Sequence, residues 1–404
     1  MPKLTLPPAM EELRPDLGDI VDLIEAKVPY GAVLLSSQQG QSIYVDNRQE
    51  TLSEQCPRDP TAGTVLTAFD GVIIQEQALS GFDKDRIIHN AQELVQNGRR
   101  ATRSAIDPGP SRQGDFITPM EIDPTTLSTE DKLERCRELH KRVITLDPRI
   151  VNVRVNYVER RETSIFRNRI ADQAQVIQRV RLFVVVMVAG ENEMRLDWHV
   201  KSASAGWEAL TYTDEELQTL VETAIGLLTA ERIDPGDYAV ITAPSVSGVI
   251  CHESFGHGVE TDMFLKDRAK AVHYLDREVG SSLVNISDDP SIEGAFGSYF
   301  FDDEGLPARP TKIVEDGIFR QGITDLYSAT TLGIRRSPNG RRQDYRRKAY
   351  ARMSNTFFER GETPVEELFQ QVEHGIYIEK VSSGMEDPKG WGIQVTGTFG
   401  REIK

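Results

Sequence analysis

The sequence predicts an α+β protein. An N-terminal α/β region with an antiparallel sheet is followed by a C-terminal, sheet-rich domain that carries a short helix with two histidines. Three observations predict it. Apolar residues recur at helix spacing in four stretches of the first 229 residues. They alternate with period two in others, as half-buried strands do. Short polar turns join neighbouring strands, which favours antiparallel pairing. Three regions are expected: 1–100, an N-terminal α/β region; 101–229, a linker with a middle sheet and helix; and 230–404, the C-terminal domain.

The elements follow in order. Leu13, Leu17, Ile20, Val21 and Ile24 fall on one helix face, and Pro29 closes the stretch. Two strands, Ala32–Ser36 and Ser42–Val45, are expected on either side of a polar turn, SQQGQ. Thr64–Phe69 and Val72–Gln75 read as a hairpin about Asp70-Gly71. Residues 82–97 read as an amphipathic helix. The Pro/Gly-rich stretch 101–116 reads as a linker. Ser128 with Asp131 forms a capping-box pattern for a helix to Leu146, on whose apolar face Cys136 is a core residue. Strands are expected from 151 to 200, and a helix capped by Thr213 and Glu216 over 214–229. Tyr238–Thr242 reads as a strand, and Ser245 as the cap of a helix beginning at Val246.

Composition excludes some functions. The 404 residues carry a formal net charge of −16, which repels nucleic acid and anionic membrane. Leu182–Ala189 is the most apolar run and is far too short to span a bilayer. The first residues lack a basic start followed by an apolar stretch, so no secretory signal is expected. Cys56, Cys136 and Cys251 are too few for a disulfide framework, and a cytoplasmic location is expected.

The stretch HESFGH, 252–257, is the candidate site. Histidines four apart on a helix share a face. Five apart, as here, they stand about 140° apart on a regular helix and do not clasp one ion. A single π turn absorbs the extra residue, and Gly256 gives backbone latitude there. With that turn, His252 and His257 are zinc ligands and Glu253 the base that takes a proton from water. The bland reading is two satisfied core histidines. Glu260 and Asp262 follow closely and are candidates for a third ligand or for orienting a histidine, or else for a solvated helix end. His273 is a weaker candidate. Cys251 leaves on another face and is expected buried.

ICHESFGHGVETD, with GSYFFDDEGLPARPTKIVEDGIF (297–319) and ARMSNTFFERGE (351–362), resembles the TldD/PmbA family, whose TldD-type members are zinc metallopeptidases. The resemblance implies His252 and His257 as metal ligands, Glu253 as catalytic base, and one zinc ion per chain. It implies cleavage of short or unfolded peptides by a dimer, either of this chain with itself or with a PmbA-type subunit. One departure stands out. The family's third ligand is a cysteine in a Cys-Gly-Lys-like segment near the C-terminus, and no cysteine follows Cys251 here. A truncated or shortened chain is expected, with Asp262 or Glu260 as the fallback ligand and an open sheet edge for a partner to cover. The rival reading is a noncatalytic binding or assembly subunit.

Other stretches carry two readings each. FDDEG (301–305) reads as a solvated turn or as shaping the cleft. The basic segment 335–353 reads as an exposed loop or a subunit contact. Arg352 and Asn355 read as substrate-binding or as structural. SSGMEDPKGWG (382–392) reads as a loop flanking the cleft or a flexible turn.

Overall fold

Helices pack on one face of a long sheet, and the C-terminal part of the chain packs on the other. The computed structural model describes residues 4–53, 61–96 and 106–404. The sheet comprises β1 (Tyr30–Val45), β2 (Glu50–Ser53), β3 (Thr61–Phe69), β4 (Ile74–Ser80), β5 (Arg112–Ile117), β6 (Ile150–Asn168), β7 (Ala171–Ala189) and β8 (Met194–Ala203). Its main path is β4-β3-β1-β6-β7-β5, with β2 on β1 and β8 on β7. All pairings are antiparallel except β5 with β7.

Alternation along the strands decides what each face meets. Val33, Leu35 and Ile165 point into a core with α1 (Pro8–Leu13), α2 (Leu17–Glu25) and α3 (Lys84–Leu94). Val153, Val155 and Tyr157 share that side and pack on α4 (Thr129–Ile144) and α5 (Asp214–Gly226). Ala32, Leu34 and Phe166 face the other way, against Phe301 and Leu326. Both expected capping boxes form, Ser128 with Asp131 and Thr213 with Glu216. Each such cap stabilises its helix by about 1 kcal/mol.

Some expectations are corrected. β1 is one strand through SQQGQ, because Gln38–Gln41 hydrogen-bond through their backbones to β6, and ladder bonds do not depend on side-chain polarity. Arg112–Ile117, inside the expected linker, is strand β5. The helix after 242 starts at Pro244 with Ala243 as its cap residue, since proline suits the first helical position. In FDDEG, Asp302 and Glu304 are buried rather than solvated. Asp302 accepts backbone N–H bonds from Glu304, Leu306 and Gly340. Cys136 and Cys251 are free and buried, and Cys56 lies outside the described residues. No described helix is long and apolar enough to cross a membrane.

The C-terminal part adds β9 (Ala239–Thr242), α6 (Pro244–Cys251), α7 (Thr261–Phe264), β10 (Ile286–Asp288), β11 (Thr311–Glu315) and β12 (Ile318–Phe319). Next come α8 (Leu326–Leu332), β13 (Gly340–Arg341), β14 (Tyr350–Ala351), β15 (Thr356–Phe358), β16 (Gly375–Asp387) and β17 (Gly392–Ile403). β16 and β17 form a long hairpin, and β9 lies parallel to β16. That sheet carries α6 and so positions the motif that follows it.

An ion-pair centre joins the two parts. Burial raises the Glu162 carboxyl, but Arg179, Arg160 and Arg341 outweigh it and hold it at about 2 instead of 4.5. Arg179 Nη1 and Arg160 Nε each lie 2.9 Å away. The folded state therefore binds this proton more weakly than the unfolded chain. The contribution, on the order of 3 kcal/mol, is full above pH 4.5 and fades as pH falls toward 2. Glu162→Gln is expected to lower stability at neutral pH and to flatten its decline in acid, read by urea unfolding across that range. An unchanged slope would show that the arginines do not hold the carboxylate.

Candidate metal centre

α6 delivers the motif. Val246 and Cys251 are buried and anchor the helix, and burial pushes the Cys251 thiol up to about 12, so it stays an inert core group. Over His252–Gly256 the helix widens into one π turn, in which the His257 N–H donates to the His252 carbonyl five residues back. The turn brings the two imidazoles to a centroid separation of 4.7 Å at 85° to each other. Gly256 contributes space rather than a left-handed φ: its φ is −95°, and a β-carbon there would stand 1.9 Å from Met353 Sδ.

The turn is braced from the hairpin. The Trp391 indole N–H donates to the Ser254 carbonyl at 2.7 Å, and the ring packs on Phe255, Tyr274 and Phe319. Trp391 itself has φ +57°, a strained value for a bulky residue that these contacts hold in place.

His252, Glu253 and His257 each offer a ligand atom within 4.8 Å of the others, and they form the one such group among the described residues. His252 is exposed and Glu253 buried. Although the residue is exposed, partial desolvation of its ring lowers the His252 pKa, and the neighbouring His257 adds to this, so His252 is biased to the neutral form a metal needs. His257 is raised by Glu260, whose Oε1 stands 3.4 Å from its Nδ1. That oxygen is buried and makes no hydrogen bond of good geometry among the described residues. It holds the Nδ1 side of the ring and leaves Nε2 for a metal. Two imidazoles with an adjoining carboxylate fit zinc.

Two family models cover more than half of the chain. The PmbA/TldA metallopeptidase central domain matches residues 122–232, and the PmbA/TldA metallopeptidase C-terminal domain matches 235–403. The chain belongs to the PmbA/TldD metallopeptidase family. A metalloprotease of Methanocaldococcus jannaschii is 31% identical over 66% of the chain, and the match spans 59% of that relative's length. A protein of Saccharolobus solfataricus named a zinc metalloprotease TldD homolog is 30% identical over 61% of the chain and 56% of its own. TldE from Thermococcus kodakarensis shares the fold, with a TM-score of 0.71 at 14% identity over 98% of this chain and 88% of its own.

Within this PmbA/TldD chain the remaining expected residues fall as follows. Asp262 is buried and turned to Lys266 Nζ at 2.9 Å and Arg352 Nη1 at 3.7 Å, outside the three-residue group. Arg352 also bonds Glu260 at 3.1 Å, and Asn355 bonds Gly297, Asp289 and Ser298, so both side chains make internal contacts. His273 stays outside the group.

Two residues of the hairpin were not singled out by spacing. Glu386 reaches the Glu253 carboxyl from the hairpin. Burial first, and then this contact, raise the Glu253 pKa. Gly384 lies directly over Glu253, where a β-carbon would stand 2.4 Å from Oε1. Their stretch, 382–392, carries two readings, a loop flanking the cleft or a flexible turn, and its glycines are the only local signal.

Glu260→Gln removes the charge behind His257 but keeps the shape. Zinc affinity is expected to fall about tenfold or more by competition with a chromogenic chelator. Parent-level affinity would show that Glu260 serves Arg352 alone.

Proposed function

We propose that this chain is a zinc-dependent peptidase that hydrolyses peptide bonds in short or unfolded peptides. The observation that carries the reading is the π turn, which turns a five-residue histidine spacing into a convergent pair with Glu253 beside it. His252 and His257 hold the ion. A zinc ion bound there supplies a Lewis acid that polarises a carbonyl and acidifies water. Glu253 accepts the water's proton and passes it to the leaving amine. Glu260 orients His257. An extended peptide alongside a strand draws affinity from its main chain. We place the chain in a dimer, with itself or with a PmbA-type subunit, and count one zinc ion per chain.

The test is metal content per chain by elemental analysis, with a His252→Ala, His257→Ala variant beside the parent. Near-stoichiometric zinc in the parent, lost in the variant, with cleavage of an unfolded peptide by the parent alone, supports the reading. No metal after zinc is supplied would sink it and favour a noncatalytic binding subunit.

A further inference from the structure

A cleft of about 460 Å³ lies between the β6–β7 face and the C-terminal part, and arginines line both walls. Arg160, Arg179 and Arg181 rise from the sheet, and Arg341, Arg342 and Arg352 face them. Glu162 is the one acid of the lining. This runs against a chain whose net charge is −16.

The cleft carries more positive charge than its one acid answers. Arg160 and Arg179 are direct cross-strand partners, and like charges so placed repel. Glu162 answers both of them and also stands 3.6 Å from Arg341. Arg342 pairs with Glu76, Arg341 with Asp303, and Arg352 with Glu260. Arg181 is exposed, and among the described residues its side chain has no ion pair or hydrogen-bond partner. Arg179 is 7% exposed; its Nε and Nη2 bond the Phe296 and Ser298 carbonyls, while Nη1 lacks a hydrogen bond of good geometry. Internal bonding thus accounts for part of the cluster and leaves positive charge directed into the cleft.

The cleft and the metal turn share a wall. Met353 lines the cleft and packs under Gly256, and Arg352 bonds the Glu260 that backs His257. We propose that this cleft receives a carboxylate of the peptide substrate, either an acidic side chain or the C-terminus, and so selects acidic peptides. The inference rests on the peptidase reading and adds the substrate class. Several guanidiniums converging on one carboxylate make charge-assisted bonds that an amide cannot replace.

The test uses the zinc-loaded Glu253→Gln protein as a trap, with short labelled peptides read by fluorescence anisotropy. One arm compares an internal glutamate with glutamine. The other compares a free C-terminus with its amide. The acidic form of at least one arm is expected to bind about tenfold tighter or more. The preference is expected to collapse when Arg181→Gln and Arg160→Gln are added. Arg181→Gln alone is expected to lower it, and this exposed, unpartnered position leaves the fold intact. The arm that responds identifies the carboxylate. Equal affinity for acidic and amide forms would overturn the proposal. Hydrolysis by the parent without preference would overturn it and spare the peptidase reading. Preference without any hydrolysis by the zinc-loaded parent would sink the peptidase reading and leave the carboxylate site standing.

Discussion

Glu253→Gln is expected to lower kcat/KM for peptide hydrolysis by about 10²–10⁴-fold and to leave zinc content at the parent level. The amide has the size of the carboxylate but accepts no proton at neutral pH. The pairing of the two readouts matters, because Glu253 lies in the same 4.8 Å group as the histidines and a ligand role is chemically open to it. A ligand replaced by an amide would cost metal together with rate. A base replaced by an amide costs rate alone. Lost zinc would therefore reassign Glu253 from base to ligand, and retained activity would exclude it from the reaction. The contact with Glu386 is kept in the variant, since the amide N–H can donate to the Glu386 carboxylate. The local shape is thus preserved and the comparison isolates the proton acceptor.

Several features that depend on near neighbours are legible in the sequence. The capping boxes at Ser128 and Thr213 depend on residues three apart, and the π turn on the mismatch between a spacing of five and a period of 3.6. What depends on distant partners left no such mark. Glu386 reaches Glu253 from more than a hundred residues away, and nothing in SSGMEDPKGWG signals which face of the strand it takes. Asp302 and Glu304 look like a solvated turn until the backbone N–H groups that satisfy them are in place. Arg160 and Arg179 look like ordinary outward positions of alternating strands. Only the register between β6 and β7 sets them opposite each other. The continuity of β1 through SQQGQ leaves no mark in the sequence for a related reason: its partner strand supplies the bonds, and the side chains are silent about it.

The hairpin's hold on the site gives the other large effect. Gly384→Ala is expected to reduce kcat about 10²-fold with zinc and fold retained. A β-carbon at 384 would stand 2.4, 2.7 and 2.8 Å from Oε1, Cγ and Cδ of Glu253, and no other residue supplies one of its three nearest atoms. Something must move, and the surroundings decide what. Gly384 is paired with Val395 in the β16–β17 ladder, and the hairpin is tied to the π turn through Trp391. The backbone of 384 is not left-handed, so alanine brings no conformational strain of its own. The Glu253 carboxylate is the softer partner, and a displacement of about 1 Å from the reacting geometry suffices for a 10²-fold loss. Gly392→Ala is the control on the same hairpin, since a β-carbon there meets nothing within 4 Å. If Gly384→Ala matched Gly392→Ala in rate, strand β16 would not set the position of the base. A loss confined to Gly384→Ala, with metal content unchanged, would mean that a segment more than a hundred residues downstream of the motif positions its proton acceptor.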